Sequence, residues 1–284
     1  MIDKVNYYLY KSNQFPTLPT IYTSLMTVIS NPRSSIQDLA DVIMKDQASV
    51  IKLLKVVNSP LFGIKSQITT VNQAILYLGF NEVKNILLAL SVMDVFDKIN
   101  NADKFNVIDL WKHSIGVAVT SRILANSLGI KDVENYFIAG IIHDIGKLFY
   151  IHFFPNEYSE IIELASNAKI SISKFELNKF GMTHEQVGAE LARKWNLPTA
   201  LINTIEYHER GKYSNRTDSL LACVHLANII ACLMKLGNTG DNYIPEPAFE
   251  IWNILNFSAG TLKSKYEEIN VAFNMANSIL QLKV

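Results

Sequence analysis

The chain has 284 residues, 49% hydrophobic and 18% charged, enough apolar material for a sizeable core, which excludes a disordered or fibrous protein. Its 26 Lys+Arg balance 26 Asp+Glu, so no net field gathers phosphates or an anionic membrane surface, and a general nucleic-acid binder is disfavoured. Residues 1–14 show neither the apolar run nor the small-residue cleavage site of a targeting segment, and the expected location is the cytoplasm.

Only 12 Gly and 8 Pro occur, mostly between segments of helical period, and the predicted class is all-α. Helices are expected near 20–30, 36–44, 48–58, 71–78 and 82–96. Ser34 with Gln37 and Thr70 with Gln73 fit capping boxes, in which two side chains satisfy two orphan N–H groups reciprocally. Lys52, Lys55, Asn58 and Ser59 admit a phosphate-reading edge, but lysines at helical spacing normally face water, and a solvated face is the preferred reading. The polar stretch 97–106 has no apolar period. It predicts a joint between a smaller N-terminal lobe, residues 1–100, and a second lobe, residues 101–284. The first lobe contains no His and no Cys.

Beyond the joint, helices are expected near 111–128, 133–151, 156–167, 173–179, 184–195, 199–207, 218–236, 245–254 and 260–280. Thr183 with Gln186 makes a third capping box, and Gly63, Gly79, Gly129, Gly181 and Gly237 mark helix stops. Phe149, Tyr150, Phe153 and Phe154 are expected to pack a helix end around His152, which joins no constellation, and Trp195 to Pro198 reads as a stop with an aromatic anchor. The apolar stretch 220–234 falls short of the ~20 residues of a membrane span and carries His225 and Asn228, so it reads as a buried helix. Cys223 and Cys232 lie on opposite sides of that helix, as reduced thiols.

Chemistry gathers at the histidines. His143 and Asp144 are adjacent in the apolar run from Gly140 to Lys147, where an unpartnered carboxylate costs several kcal/mol to bury. A divalent metal is one compensation, since imidazoles and carboxylates are the usual ligands of zinc, iron and manganese. Lys147, one turn on, is the competing one. Neighbouring residues on a helix point about 100° apart, so a shared ion needs ligands from other helices: His113, His184 and His208 are the candidates. His225 is either a further ligand or a histidine hydrogen-bonded in the core, and the second reading is preferred.

The order and context of these residues resemble the HD superfamily of metal-dependent phosphohydrolases, and more narrowly the HDOD family, the HD-related output domains of bacterial signalling proteins. The resemblance runs from Phe15 to Ile230. It is carried by Leu18-Pro19, Asp46, Lys52 to Pro60, Thr70 to Gly79, Trp111 to Ser114, Ala139 to Leu148, Phe175-Glu176, His184 to Pro198, and His208. It implies an HD-like helical bundle whose metal ligands are His113, His143, Asp144, His184, His208 and Asn228, with Asp144 and Lys147 as catalytic residues and Lys147 near phosphate. The implied cofactor is a divalent metal: Fe, Mn or Zn. In this chain Asn228 stands where the family pattern has a final aspartate, and Tyr207-His208-Glu209 stands where the cyclic-dinucleotide-degrading branch has His-His-Glu. That branch's glycine-rich loop is missing. The implied function is signal transduction or regulation through contacts with other signalling proteins. The alternative is an active metal-dependent phosphohydrolase on a nucleotide or cyclic dinucleotide. Neither a membrane nor a nucleic acid is an expected partner.

Overall fold

Helical period in the sequence becomes helix throughout the computed structural model, with no strand among the described residues. The structure describes residues 1–280 except 13, 17, 19, 30, 32, 65 and 100–105. The chain begins with α1 (Ile2–Asn6), a π-helical turn (Tyr7–Lys11), α2 (Thr20–Ile29), α3 (Ile36–Met44) and α4 (Gln47–Val57). A 3-10 turn (Pro60–Phe62) leads to α5 (Val71–Leu78) and the long α6 (Phe80–Ile99). Then follow α7 (Val107–Ser127), α8 (Glu134–Ile142), α9 (Ile145–Phe153), α10 (Pro155–Ala168), α11 (Ile172–Phe180), α12 (His184–Lys194) and α13 (Thr199–Tyr207). The chain closes with α14 (Ser219–Leu233), α15 (Phe249–Leu255), α16 (Ala259–Ser264) and α17 (Tyr266–Ile279).

Two of the expected capping boxes form as read, at Thr70 with Gln73 and Thr183 with Gln186. The first moves by one residue. Ser35, not Ser34, caps α3, because the Asp38 carboxylate accepts from both Ser35 N and Ser35 Oγ at 2.8 Å, while Gln37 turns outward and donates to Asp41. Each such cap contributes about 1 kcal/mol. All five glycine stops have positive φ.

Two expected helices are interrupted. The run 133–151 breaks at His143-Asp144, where His143 closes α8 and Asp144 opens α9. Each half is locked to a different neighbour: a Cβ on Gly140 would meet Ala118 Cα of α7 at 2.5 Å, and one on Gly146 would meet the His184 carbonyl of α12 at 1.9 Å. The chain turns between the two contacts. The run 260–280 divides at Lys265 into α16 and α17. Of the expected joint, 97–99 continue α6, 100–105 lie outside the described residues, and Asn106 caps α7.

α7 is the central post, with α8, α14 and α17 packed around it, and α12 lies against α9 and α13. α6 packs on α8 and carries α2, α4 and α5 with it. A tilted contact of the Phe96 and Trp111 rings, with centroids 4.8 Å apart, joins α6 to α7. α14 is buried along most of its length, as expected for residues 220–234, and among the described residues no single helix is long and apolar enough to cross a membrane. Cys223 and Cys232 are both free. Within the supposed phosphate-reading edge, Lys52 is ion-paired to Asp94. Asn58 is occupied by backbone, accepting from Ile68 N at 2.7 Å and donating to Leu54 O and Ile68 O. Ser59 is buried with its Oγ unpartnered among the described residues, and Lys55 is an exposed lysine, as the solvated reading expects.

Candidate metal centre

The break between α8 and α9 places Asp144 where three helices meet. Its Oδ1 lies 3.3 Å from His184 Nε2, at the start of α12, and 3.4 Å from His208 Nε2, just past α13. Its Oδ2 takes an ion pair from Lys147 at 2.9 Å and lies 3.4 Å from His143 Nε2. All five side chains are buried, at 0–2% exposure. Gly146 is what permits this approach, since any side chain there would collide with the His184 carbonyl.

The far side of each ring is already committed. His143 Nδ1 donates to Gly140 O at 2.7 Å and His208 Nδ1 to Ile205 O at 2.8 Å. A carbonyl only accepts, so both hydrogens sit on Nδ1 and, in the neutral ring, both Nε2 atoms present lone pairs. Those lone pairs face the Asp144 oxygens, which present lone pairs of their own. His143 Nε2, His184 Nε2, His208 Nε2 and Asp144 Oδ1 are accordingly buried without a hydrogen-bond partner. Lys147 satisfies Oδ2 only, so pairing with Lys147 does not account for the cluster. Buried polar atoms left unpaired cost about 1–3 kcal/mol each. A divalent cation fits: the donors are nitrogen and carboxylate oxygen, the outer nitrogens are fixed by carbonyls and a carboxylate, and the ligand atoms of Asp144, His184 and His208 lie within 4.8 Å of one another.

The charges agree with that fit. Burial raises the Asp144 pKa, but Lys147 and His143 outweigh it and hold the carboxyl well below its ordinary value. Burial dominates at His143 and His113 and keeps both below the ordinary imidazole value, hence neutral and ligand-ready. His184 is the exception: the charges of Glu176 and Glu185 overcome burial and hold its pKa well above the ordinary one, so this ring keeps a proton on Nε2 toward Asp144 Oδ1 until a cation displaces it. The site thus holds a surplus of buried negative charge.

Of the residues singled out in the sequence, His143, Asp144, Lys147, His184 and His208 come together. His113 and Asn228 stand beside them as a pair, with His113 Nε2 3.0 Å from Asn228 Oδ1. The His113 ring is 5.3 Å from His143, and its ligand nitrogen falls within 4.8 Å of ligand atoms of His143 and Asp144. His225 is no ligand: its Nδ1 donates to His208 O at 2.7 Å and its Nε2 accepts from Ala248 N at 3.1 Å. His152 joins no cluster and lies beside Phe15 and Phe153.

Glu176, named in the sequence only as part of the resemblance and given no role there, is 0% exposed. Its Oε2 accepts from His184 N at 2.7 Å and pairs with His184 Nδ1 at 2.8 Å, while Oε1 accepts from Tyr158 O–H at 2.9 Å. The available signal was a carboxylate one turn before the end of an amphipathic helix, eight residues ahead of a histidine. Glu209 was likewise given no role. Its Oε1 lies 3.7 Å from His208 Nε2 and 3.5 Å from Asn228 Nδ2. The loop after α14 covers His113, beside a cavity of about 320 Å³ that His113 and Cys232 also line. Gly237 is required there, since a Cβ would meet His113 N at 2.2 Å.

Comparison with known proteins follows the same lines. A model of the HDOD domain matches residues 15–210. An uncharacterised protein of Treponema pallidum (strain Nichols) is 25% identical over 262 residues, 90% of this chain and 50% of that one. Ribonuclease Y of Mycoplasma mycoides is 33% identical over 119 residues, 42% of this chain and 21% of the enzyme. The chain therefore spans about half the length of the first relative and a fifth of the second. Among solved structures, an HDOD domain protein of unknown function from Geobacter sulfurreducens superposes with a TM-score of 0.81 at 24% identity, covering 98% of this chain and 97% of that one. A Shewanella amazonensis SB2B protein described as a phosphohydrolase superposes with a TM-score of 0.74 at 20% identity, covering 97% of each chain.

Proposed function

The chain belongs to the HDOD family, and from that membership we propose that it is a regulatory domain of signal transduction, acting through contacts with other signalling proteins and retaining a buried HD-type metal centre. The observation that carries this reading is the closed cluster of lone pairs around Asp144: its atoms lack partners, and its residues are 0–1% exposed. A hydrolytic metal site keeps an open position for water and substrate, whereas a closed one serves stability and shape. His143, Asp144, His184 and His208 would hold iron, manganese or zinc, with His113 and Asn228 alongside. Such an ion supplies the positive charge that the facing lone pairs lack and, where a position is open, acidifies a bound water.

The chain's own residues do the rest. Gly140 O, Ile205 O and Glu176 orient the three rings, and Lys147 neutralises half of Asp144. Residues 1–100 form the lobe that offers the contact surface. This placement is supported by the absence of His and Cys there and by Ile51, Leu76 and Tyr77, which are 68%, 69% and 63% exposed on α4 and α5.

A second reading, a phosphohydrolase on a nucleotide or cyclic dinucleotide, is favoured by the similarity to Ribonuclease Y. Metal content after purification without chelator, melting temperature with and without added Zn, Mn or Fe, and phosphate or nucleotide release separate the two. The regulatory reading expects near-stoichiometric metal, a melting temperature that falls on chelation, and no turnover. Metal-dependent turnover establishes the second reading. Substoichiometric metal with an unmoved melting temperature removes the metal centre from both.

A further inference from the structure

At the N-terminal end of α8, the end away from His143, a cleft of about 450 Å³ opens where α2 and α6 meet α8, α13 and α14. Its size is that of a small-ligand site, and its walls combine apolar side chains with a few polar groups. Leu88, Ile130, Leu201 and Leu220 supply the apolar part.

The polar groups are distinctive because the fold leaves them unused. Tyr22 is 1% exposed, yet its hydroxyl has no hydrogen bond among the described residues, and burial alone pushes its pKa up to about 12. Asn85 is 5% exposed and donates to Asn135 Oδ1 at 3.0 Å. Its own carbonyl oxygen receives no hydrogen bond among the described residues. Lys84, one residue earlier, is half-buried without an ion pair among the described residues. Burial holds its pKa below the usual lysine value, against the opposing charge of Glu82. The Tyr22 hydroxyl, the Asn85 carbonyl oxygen and the partly desolvated Lys84 ammonium thus line the cleft with hydrogen-bonding capacity that the described residues do not take up.

We propose that this cleft binds a mononucleotide, a single phosphate joined to a nucleobase. The arrangement dictates the class. Lys84, with Asn81 near it in sequence at the exposed rim, meets one phosphate group; Asp132, whose charge reaches Glu82, repels a second. Deeper in, the Asn85 oxygen and the Tyr22 hydroxyl meet the hydrogen-bonding edge of a base, whose faces pack on Leu88 and Leu201. One cation with a carboxylate in the same cleft does not suit the two phosphates of a cyclic dinucleotide. This site uses no residue of the metal centre, so its test stands apart from that of the proposed function.

The experiment is calorimetric titration of the full chain, in chelator, with 5′-AMP, 5′-GMP, cyclic AMP and cyclic GMP, which distinguish the linear from the cyclic source of the phosphate. Adenosine, guanosine, inorganic phosphate and cyclic di-GMP are the controls. The expected result is one-to-one binding of at least one mononucleotide, at least about tenfold tighter than its nucleoside or phosphate alone. Lys84→Gln should weaken it about tenfold with little change in melting temperature, since the ammonium makes no ion pair among the described residues and gives up only the more distant charge of Glu82. Tyr22→Phe removes only the hydroxyl and should weaken binding severalfold, which keeps the test decisive if the lysine variant folds poorly. His143→Ala should leave binding unchanged. The proposal is overturned if no mononucleotide binds at about 1 mM, if both cleft variants bind like the parent, or if cyclic di-GMP binds more tightly than every mononucleotide.

Discussion

Glu176 shows how a single buried carboxylate sets the metal centre. It grips His184 through both backbone N and Nδ1 and is itself steadied by Tyr158, so the ring is aimed at Asp144 before any ion arrives. Glu176→Gln keeps an acceptor for Tyr158 but removes the charge that makes the imidazole a strong donor of electrons. We expect metal affinity to fall about 10–100-fold, read by competition with a calibrated chelator at fixed pH because ligand protonation enters the apparent constant. Unchanged affinity would mean that His184 is oriented by something else.

At the scale of elements, the close approach of α9 to α12 depends on Gly146, whose added Cβ would sit 1.9 Å from the His184 carbonyl and 2.8 Å from Gly188 N. Both obstacles are backbone, so neither gives way. Gly146→Ala is expected to cost roughly 3 kcal/mol or more, measured by urea denaturation, and to disturb the metal centre with it. α14 carries a different liability. Burial pushes the Cys223 thiol from 9.0 up to about 12. The folded state therefore holds this proton more tightly than the unfolded chain, so the thiol's contribution is complete below pH 9.0 and is lost as pH rises toward about 12. Across that window the unfolding free energy read from urea denaturation should fall by up to about 1.4 kcal/mol per pH unit from this group. Cys223→Ala should flatten the alkaline slope. An identical slope in the variant would place the titration elsewhere.

Across the whole molecule, the C-terminal helix α17 closes the face of α7 that the rest of the bundle leaves open. Ile269, Ala276 and Leu280 are buried against it, and Trp111 Nε1 donates to Leu280 O at 2.5 Å. Removing residues 266–284 should lower stability by roughly 3 kcal/mol or more, given the apolar area uncovered, and shift tryptophan emission to the red as Trp111 meets water. A truncated chain that melts with the parent would show α17 to be an appendage rather than part of the core.

Much of this protein was legible in the linear chain. The all-α class, the caps at Thr70 and Thr183, the burial of α14 and the order His113, His143-Asp144, His184, His208 rest on periodicity and on contacts within about four residues, which a sequence displays directly. Capping slipped by one residue at Ser35 because Asp38 competes with Gln37 over the same short range. What the chain could not display depends on distant partners. The break at His143-Asp144 is imposed by α7 and α12 through Gly140 and Gly146. His225 is held by His208 O and Ala248 N, 17 and 23 residues away, and Asn228 meets His113 across 115 residues. Local propensity says which segments coil. Only close packing of the coils decides which lone pairs meet, because a side chain's partner across the core is set by backbone approach and not by spacing along the chain.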